Sequence, residues 1–350
     1  MTTVRALGLA AACAAATSLV ISAAPAQAAT SYVALGDSYS SGTGTRSYLS
    51  DGTSCQRSAL AYPSLLAAAK GLTLNFRACS GATVADVTTT QLGALTASTT
   101  HVSISVGGND AGFASVLTEC AKPAWASNCN GAIDTAQSYI TNVLPGRLAT
   151  LYSSIRSKAP NAKVVVVGYP RIFQGEDCNA FTWFSPTEEA RLNQMADLLN
   201  GKTSAAAGAR AFSFANPTSR FLGHAVCDDV EWLNGLSSPI SESYHPNRAG
   251  HASGYAPTVS TPLTGSAFTT SATTLQRAAS SADRLAAQQR TYASRDAAIT
   301  PKQVLAPDLG SPQVRAAAAR AGVDLSSQAS IDRADRLYAA RQAAEYAARR

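Results

Sequence analysis

Short apolar runs that end in glycine or small polar residues alternate along the chain with longer segments of helical periodicity. The first run, residues 32–35, stops at a glycine, and the clearest later runs cover residues 101–106 and 162–167. The last of these ends in four consecutive valines, which is typical of a strand that is buried on both faces. Strands that alternate with helices predict parallel pairing between helical layers.

The same pattern gives approximate bounds for the predicted elements. Strands are predicted over residues 32–36, 72–78, 101–106, 162–167 and 211–214. Helices are predicted over residues 62–70, 84–92, 132–158, 186–207 and 246–253. Pro145 lies within the longest helical pattern, and a proline there kinks or splits a helix. We therefore expect an α/β fold, a three-layer α/β/α sandwich with a mainly parallel, flavodoxin-like sheet.

The composition of the chain changes near residue 256. A Thr/Ser/Pro-rich stretch, residues 257–274, is predicted to be a linker, and an Ala/Arg-rich tail follows over residues 275–350. The tail has two helical patterns but too few large apolar residues for a core of its own, so we expect a helical or partly disordered appendage. Residues 256–350 contain 12 basic and 7 acidic residues, so most of the formal net charge of +6 lies there. A basic, partly helical tail favours weak attachment to an anionic membrane or wall surface.

The N-terminus has the composition of a secretory signal peptide. Arg5 precedes an apolar run over residues 6–21, and Ala26 and Ala28 form a small-x-small cleavage signal. We expect residues 1–28 to be removed and the mature protein to be secreted. Residues 29–255 contain 15 basic and 15 acidic residues, and this neutral balance gives no indication of a nucleic-acid partner.

Removal of the signal peptide takes Cys13 away and leaves an even number of cysteines. They are Cys55, Cys79, Cys120, Cys129, Cys178 and Cys227. An even number in an exported chain favours three disulfides, although six cysteines allow fifteen pairings. A zinc site is the weaker interpretation, because the chain has no Cys-x-x-Cys and its histidines are scattered.

Four short segments carry the candidate chemistry. In chain order they are Gly36-Asp37-Ser38, Gly81, Gly107-Gly108-Asn109-Asp110 and Tyr244-His245-Pro246-Asn247. Each alone also fits an ordinary turn or loop. Together, and in this order, they resemble the GDSL, or SGNH, hydrolase family, and in particular its secreted actinobacterial lipases, esterases and phospholipases, which also carry six cysteines. The resemblance covers residues 29–256 as a catalytic domain with the SGNH hydrolase fold, and it does not cover the tail.

The resemblance implies a role for each of these segments. Ser38 would be the nucleophile, and His245 the base that a serine hydroxyl needs. The backbone amides of Ser38 and Gly81 and the side-chain amide of Asn109 would form the oxyanion hole, where each donor can be worth about 3–4 kcal/mol. Asp37 is interpreted as a structural residue that holds the turn. The resemblance implies no cofactor and no metal.

The group that orients His245 has two candidates. The family often has an aspartate three residues before the histidine, and Glu242 occupies that position here. Some secreted members lack the acid and use a backbone carbonyl two residues before the histidine, which would be that of Ser243. Either group would fix the tautomer of the imidazole.

The resemblance also implies a disulfide pairing and a substrate class. The pairs would be Cys55–Cys79, Cys120–Cys129 and Cys178–Cys227. The expected protein is a monomeric lipase or esterase that cleaves carboxylic esters of lipids. Phospholipase A-type activity and polysaccharide deacetylation are alternatives, and a non-catalytic surface-binding protein is the alternative from another class. Six aromatic residues are interpreted either as acyl-pocket lining or as ordinary core: Phe113, Trp125, Phe173, Phe181, Trp183 and Phe184.

Overall fold

The structure, a computed structural model, describes residues 1–3 and 30–349. The predicted signal peptide therefore lies almost wholly outside the described residues. In the described part of the chain, parallel strands form one sheet in the order β2-β1-β3-β4-β5. The strands are β1 (Ser31–Gly36), β2 (Thr73–Phe76), β3 (His101–Ser105), β4 (Lys163–Val167) and β5 (Ser213–Ala215). This order is that of flavodoxin-like sheets, as predicted.

Helices cover both faces of the sheet, which gives the expected three-layer sandwich. They are α1 (Ser38–Ser41), α2 (Tyr62–Lys70), α3 (Val84–Asp86), α4 (Phe113–Cys120), α5 (Cys129–Asn142), α6 (Leu144–Lys158), α7 (Pro186–Gly208), α8 (Ala256–Thr264), α9 (Ala272–Ser280), α10 (Ala282–Arg290), α11 (Ala293–Asp296), α12 (Pro312–Ala321) and α13 (Gln328–Ala348). α2 and α8 pack together on one side, and α6 and α7 pack together on the other. β4, the valine-rich run, is buried after its first residue, as both-face coverage requires.

The long helix predicted over residues 132–158 is two helices. The backbone leaves regular helical geometry at Val143, where φ is −111°, and α6 begins one residue later with Pro145 in its first turn. A proline is tolerated in the first turn because its missing N–H would have no helical partner there. A proline inside a helix has no N–H to donate and its ring crowds the preceding turn, so α5 ends ahead of it.

The C-terminal part of the chain differs from the prediction in one respect. Residues 257–264, predicted as linker, belong to α8, which packs on β3, β4 and β5 and buries Val259 and Leu263 completely. The Thr/Ser/Pro composition did not predict this helix, because its apolar positions are few and Pro262 lies within it. The apolar side of α8 packs on one face of the sheet, so this segment is part of the folded core.

The tail is helical and packs against the rest of the protein. α9 lies against α2, and α12 and α13 contact the short turn at residues 124–126. Val314 and Ile331 of the tail are buried with Trp125 in a small cluster, and Leu285 belongs to the main hydrophobic core. Within the described residues, none of the helices combines the length and the apolar character that crossing a membrane requires.

The structure contains three disulfides, Cys55–Cys79, Cys120–Cys129 and Cys178–Cys227. These are the pairs that the family resemblance implies. Cys55 and Cys79 are fully buried, and their bridge joins the loop after α1 to the loop after β2.

Candidate active site

Ser38 stands at the carboxyl end of β1, where the chain turns sharply into α1. Gly36 has a φ of +120°, and a Cβ there would lie 2.3 Å from the Ser105 carbonyl oxygen of the neighbouring strand. Only glycine allows β1 and β3 to approach so closely at this point. The Asp37 amide then donates to that same carbonyl, at 3.0 Å, and Ser38 begins the short helix.

Asp37 stabilises this turn through its side chain. Its carboxylate accepts hydrogen bonds from the Ser105 hydroxyl at 2.6 Å, the Tyr169 hydroxyl at 2.5 Å and the Tyr39 amide at 3.1 Å. Burial raises the pKa of Asp37 to about 6, although all three hydrogen bonds favour the charged form. The geometry agrees with the structural interpretation of Asp37, since its oxygens point to the strand and helix ends.

His245 reaches Ser38 from a loop more than 200 residues further along the chain. Its Nε2 lies 2.8 Å from Ser38 Oγ, and its Nδ1 lies 2.9 Å from the Ser243 carbonyl oxygen. A carbonyl can only accept, so Nδ1 carries the proton and Nε2 presents its lone pair to the serine hydroxyl. Tyr39, beside Ser38, fixes the loop by donating to the Tyr244 carbonyl at 2.7 Å.

Burial lowers the pKa of the His245 imidazole to about 4, while the hydrogen bond to the Ser243 carbonyl partly raises it. The low pKa follows from the surroundings, because desolvation disfavours the imidazolium ion. His245 is therefore neutral at physiological pH and is able to accept a proton.

Glu242 is directed away from the imidazole. Its carboxylate accepts a hydrogen bond from the Tyr48 hydroxyl and pairs with Arg46, whose Nε lies 3.3 Å away. Of the two orienting groups that the sequence left open, the structure puts the Ser243 carbonyl next to His245. Glu242 lies in the short 3₁₀ turn Ile240–Glu242 and helps to fix the loop that carries the histidine.

Gly81 and Asn109 come to the same rim from the loops after β2 and β3. Gly81 has a φ of +86°, which favours glycine, and the Asn109 side-chain amide donates to the Ala82 carbonyl at 3.0 Å. That bond uses one N–H of Asn109 and leaves the other available. Gln91, which pattern reading missed, binds both backbone groups of Gly36 and so secures the end of β1.

A cavity lies above Ser38, His245 and Asn109. The space from its floor to the solvent outside its opening is about 560 Å³, and its apolar lining comes from α4, α7 and the tail. Of the six aromatic residues singled out in the sequence, Phe113 lines it, Phe173 and Phe184 are core, and Phe181 is exposed. Two tail residues, Lys302 and Val304, also line the cavity. No sequence motif marked them, because the tail pattern gave no information on where the tail docks.

The other histidines lie in structural positions. His101 begins β3, and His224 stacks on the ring of Trp232. His251 is fully buried and accepts a hydrogen bond from the Tyr62 amide at 3.3 Å. None of these three lines the cavity above Ser38.

The three-layer fold, with a serine and a histidine meeting at the carboxyl edge of a parallel sheet, is that of the SGNH hydrolases. Residues 34–253 match the family described as "GDSL-like Lipase/Acylhydrolase family". The chain belongs to this family and is a carboxylic ester hydrolase of the lipase type.

Proteins similar to this chain support the same assignment. Lipase 1 of Streptomyces coelicolor is 46% identical over 233 residues, which cover 66% of this chain and 85% of that protein. A lipase of Streptomyces rimosus is 44% identical over 236 residues, which cover 67% of this chain and 87% of that protein.

Two solved structures resemble the catalytic part over their whole length. They are phospholipase A1 from Streptomyces albidoflavus NA297, with a TM-score of 0.64 and 42% identity, and an extracellular lipase from Streptomyces rimosus, with a TM-score of 0.63 and 41% identity. Each match covers 67% of this chain and 100% of the other chain. These relatives therefore fold without a counterpart of the remaining third.

Proposed function

We propose that this protein is a secreted enzyme that cleaves carboxylic esters of lipids through an acyl-enzyme on Ser38. The observation that carries the proposal is the 2.8 Å contact between Ser38 Oγ and His245 Nε2, with Nδ1 held at 2.9 Å by the Ser243 carbonyl. A serine hydroxyl becomes an effective nucleophile when a neutral, correctly oriented base removes its proton. Secretion is supported by the predicted signal peptide and by the disulfides.

In the first half-reaction, Ser38 Oγ attacks the ester carbonyl carbon while its proton passes to His245 Nε2. Negative charge develops on the carbonyl oxygen, and the amides of Ser38, Gly81 and Asn109 are the candidate donors to it. The Ser243 carbonyl stabilises the imidazolium that forms. His245 then gives the proton to the leaving alkoxide, and the acyl group stays on Ser38.

In the second half-reaction, water replaces the alcohol. His245 takes a proton from the water as its oxygen attacks the acyl carbon, and the same donors stabilise the second oxyanion. Collapse of this intermediate returns the proton to Ser38 Oγ and releases the carboxylic acid. The side-chain amide of Asn109 is anchored by Ala82 at 3.0 Å, so its position requires little reorganisation during the reaction.

Phospholipase A-type activity is a second candidate, and one observation favours it. The chain is 42% identical to a solved phospholipase A1 that it covers completely. The reaction would be the same, with a glycerophospholipid supplying the ester.

The test is hydrolysis of an ester series of rising acyl length beside a diacyl phospholipid, with Ser38→Ala as the control. We expect Ser38-dependent release of fatty acid and a loss of at least about 10³-fold in Ser38→Ala. Hydrolysis of acetylated xylan alone would instead favour a polysaccharide esterase. A Ser38 that does not react with a fluorophosphonate probe, in a folded protein, would favour a non-catalytic binding protein.

A further inference from the structure

The tail, which has no counterpart in the family match, crosses the rim that carries the candidate active site. The family match ends at residue 253, and the chain continues through α8 to α11 into an extended segment. Within this segment Ile299 is 2% exposed and Val304 is 4% exposed, and both belong to the main hydrophobic core. We name residues 299–305 the strap.

A buried ion cluster fixes one end of the strap. Asp296, at the end of α11, has a fully buried carboxylate that lies 2.5 Å from Arg77 Nη2 and 2.6 Å from Arg57 Nη2. Both guanidinium groups are also fully buried, and Gln289 accepts from Arg77 at 2.8 Å. Asp296 therefore binds the tail to the loop after β2, which leads to Gly81. We name this cluster, Asp296 with Arg57, Arg77 and Gln289, the latch.

The strap then passes directly over Gly81. A Cβ at Gly81 would lie 2.4 Å from the Thr300 carbonyl oxygen and 2.9 Å from Pro301 Cα. At the far end, the Leu305 amide donates to the Thr118 hydroxyl on α4, at 2.9 Å. The strap is thus held on both sides of the cavity that contains Ser38.

Val304 faces an apolar part of the cavity wall. α4 contributes Phe113 and Leu117, and α7 contributes Leu199. Val304 is buried, next to Leu305, which is hydrogen-bonded to α4. Lys302 is exposed. This apolar part of the wall suits an acyl chain, which is the apolar part of an ester substrate.

We propose that the strap is a wall of the acyl-binding site and that Val304 determines the length of acyl chain that the enzyme accepts. This inference rests on the proposed ester hydrolysis at Ser38. Among the described residues, Ser38 Oγ bonds to His245 and the Asn109 side-chain amide to Ala82, and neither bonds to the strap. The strap covers Gly81, which does not line the cavity, and it limits the space beside the other two groups, as a wall would.

The experiment measures kcat/KM of the full chain on para-nitrophenyl esters from butanoate to hexadecanoate. In Val304→Ala we expect the ratio of long-chain to short-chain kcat/KM to rise about tenfold, because one methylene in an apolar pocket changes discrimination by at least that factor. In Val304→Phe the same ratio falls about tenfold. Val304→Leu adds one methylene and shifts the ratio in the same direction, and it replaces the phenylalanine variant if that variant does not fold.

Val314→Ala is the matched control. Val314 is an equally buried valine of the tail, but it lies in the cluster around Trp125 and does not line the cavity. This variant loses the same groups and should keep the wild-type ratio. A change in the Val314→Ala ratio as large as that in Val304→Ala would overturn the proposal, because general loosening of the tail would then explain both.

Two further outcomes separate the strap from the proposed function. If the wild-type chain hydrolyses the series in a Ser38-dependent manner and the folded Val304 variants keep its ratio, the strap proposal fails and the proposed function stands. If the Val304 variants raised kcat/KM by the same factor at every chain length, the strap would be a cover over the site. The proposal that it is a wall of the acyl-binding site would then also fail. If no ester in the series is hydrolysed in a Ser38-dependent manner, both proposals fail.

Discussion

At the residue scale, the imidazole of His245 has one neighbour on each nitrogen, and both are oxygen atoms. The hydroxyl of Ser38 lies at Nε2 and the carbonyl of Ser243 at Nδ1. A backbone carbonyl has no titratable proton, so it fixes the tautomer wherever the imidazole is neutral. A carboxylate in the same place would give a full negative charge, but it would also be protonated in acid.

Replacement of Glu242 by glutamine should leave turnover nearly unchanged. The side chain contacts Tyr48 and Arg46, and Arg46 is 59% exposed, so the lost ion pair is worth at most about 1 kcal/mol. We expect kcat on a short-chain ester within about threefold of the wild-type value. The measurement is steady-state kinetics, with Ser38→Ala as the inactive reference. A loss of more than about a hundredfold would assign the orienting role to the carboxylate.

The pKa of His245 predicts the acid limb of the pH profile. An ordinary histidine titrates near 6.5, and burial lowers the pKa of His245 to about 4. The base must be neutral, so a lower pKa extends activity to lower pH. We expect kcat/KM, which reports the free enzyme, to stay level from about pH 8 to 5 and to fall with a midpoint near 4.

The control for this profile is circular dichroism over the same pH range, since unfolding would also abolish activity. A midpoint near 6.5 in a folded protein would show that burial does not lower the pKa of the His245 imidazole.

At the scale of elements, four loops at the carboxyl edge of the sheet carry the candidate site, and neighbouring elements hold each loop. The loop after β2 is held most firmly. Cys79 is bridged to Cys55, its amide donates to the Gly36 carbonyl at 2.9 Å, and Gly81 follows two residues later. The Cys79 amide thus ties the turn before Ser38 to the loop that carries Gly81, and the bridge anchors Cys79 to Cys55.

Removal of this bridge should reduce both stability and turnover. For the double variant Cys55→Ala/Cys79→Ala, closing a loop with a sequence separation of 24 corresponds to about 3 kcal/mol of unfolding free energy. Release of the loop also displaces the Gly81 amide, and a displacement of this kind lowers kcat by about tenfold to a hundredfold. Denaturant unfolding and steady-state kinetics measure the two effects.

The matched control is Cys120→Ala/Cys129→Ala. That bridge spans a separation of 9 residues and lies away from Gly81, so stability should fall by a similar amount while kcat is retained. Equal losses of kcat in both double variants would show that the first bridge has no particular role in the oxyanion site.

Most of the strands and helices were predictable from the sequence, because apolar residues recur at different intervals in strands and in helices. The valine run of β4 and the capped start of α7, with Ser185 and Glu188 bonded reciprocally, follow from local chemistry. α8 was missed because a helix of threonine, serine and proline has no clear apolar period. Only its position on the sheet explains why it folds.

At the scale of the whole molecule, the tail is joined to the catalytic part by charge as well as by apolar contact. Arg57 also pairs with Asp51, at 2.7 Å, whereas Arg77 has Asp296 as its carboxylate partner among the described residues. Removing one partner of a buried pair leaves an uncompensated charge in a medium of low polarity.

Asp296→Asn should therefore destabilise the protein by about 3 kcal/mol. With an unfolding entropy of about 2.1 cal/mol/K per residue, that corresponds in a chain of this size to a fall in Tm of about 4–5 °C. Differential scanning calorimetry measures it, and Asp283→Asn, at an exposed position of α10, is the control that should leave Tm unchanged. An unchanged Tm in Asp296→Asn would mean that the latch contributes no net stability.

The amino-acid sequence alone predicted the fold class, which the structure confirms, and the candidate reactive residues. Periodicity shows where strands and helices form, and Ser38, Gly81, Asn109 and His245 stand in the order of one hydrolase family. Those signals are local, because each depends on residues within a few positions of one another along the chain.

Tertiary structure decided which groups meet across the chain. It put the Ser243 carbonyl and not the Glu242 side chain beside the imidazole, and it laid the strap over Gly81 with Val304 in the cavity wall. The physical reason is that docking depends on complementary buried charge and apolar surface between distant segments. The spacing of apolar residues in one segment carries no information about the distant segment on which it packs.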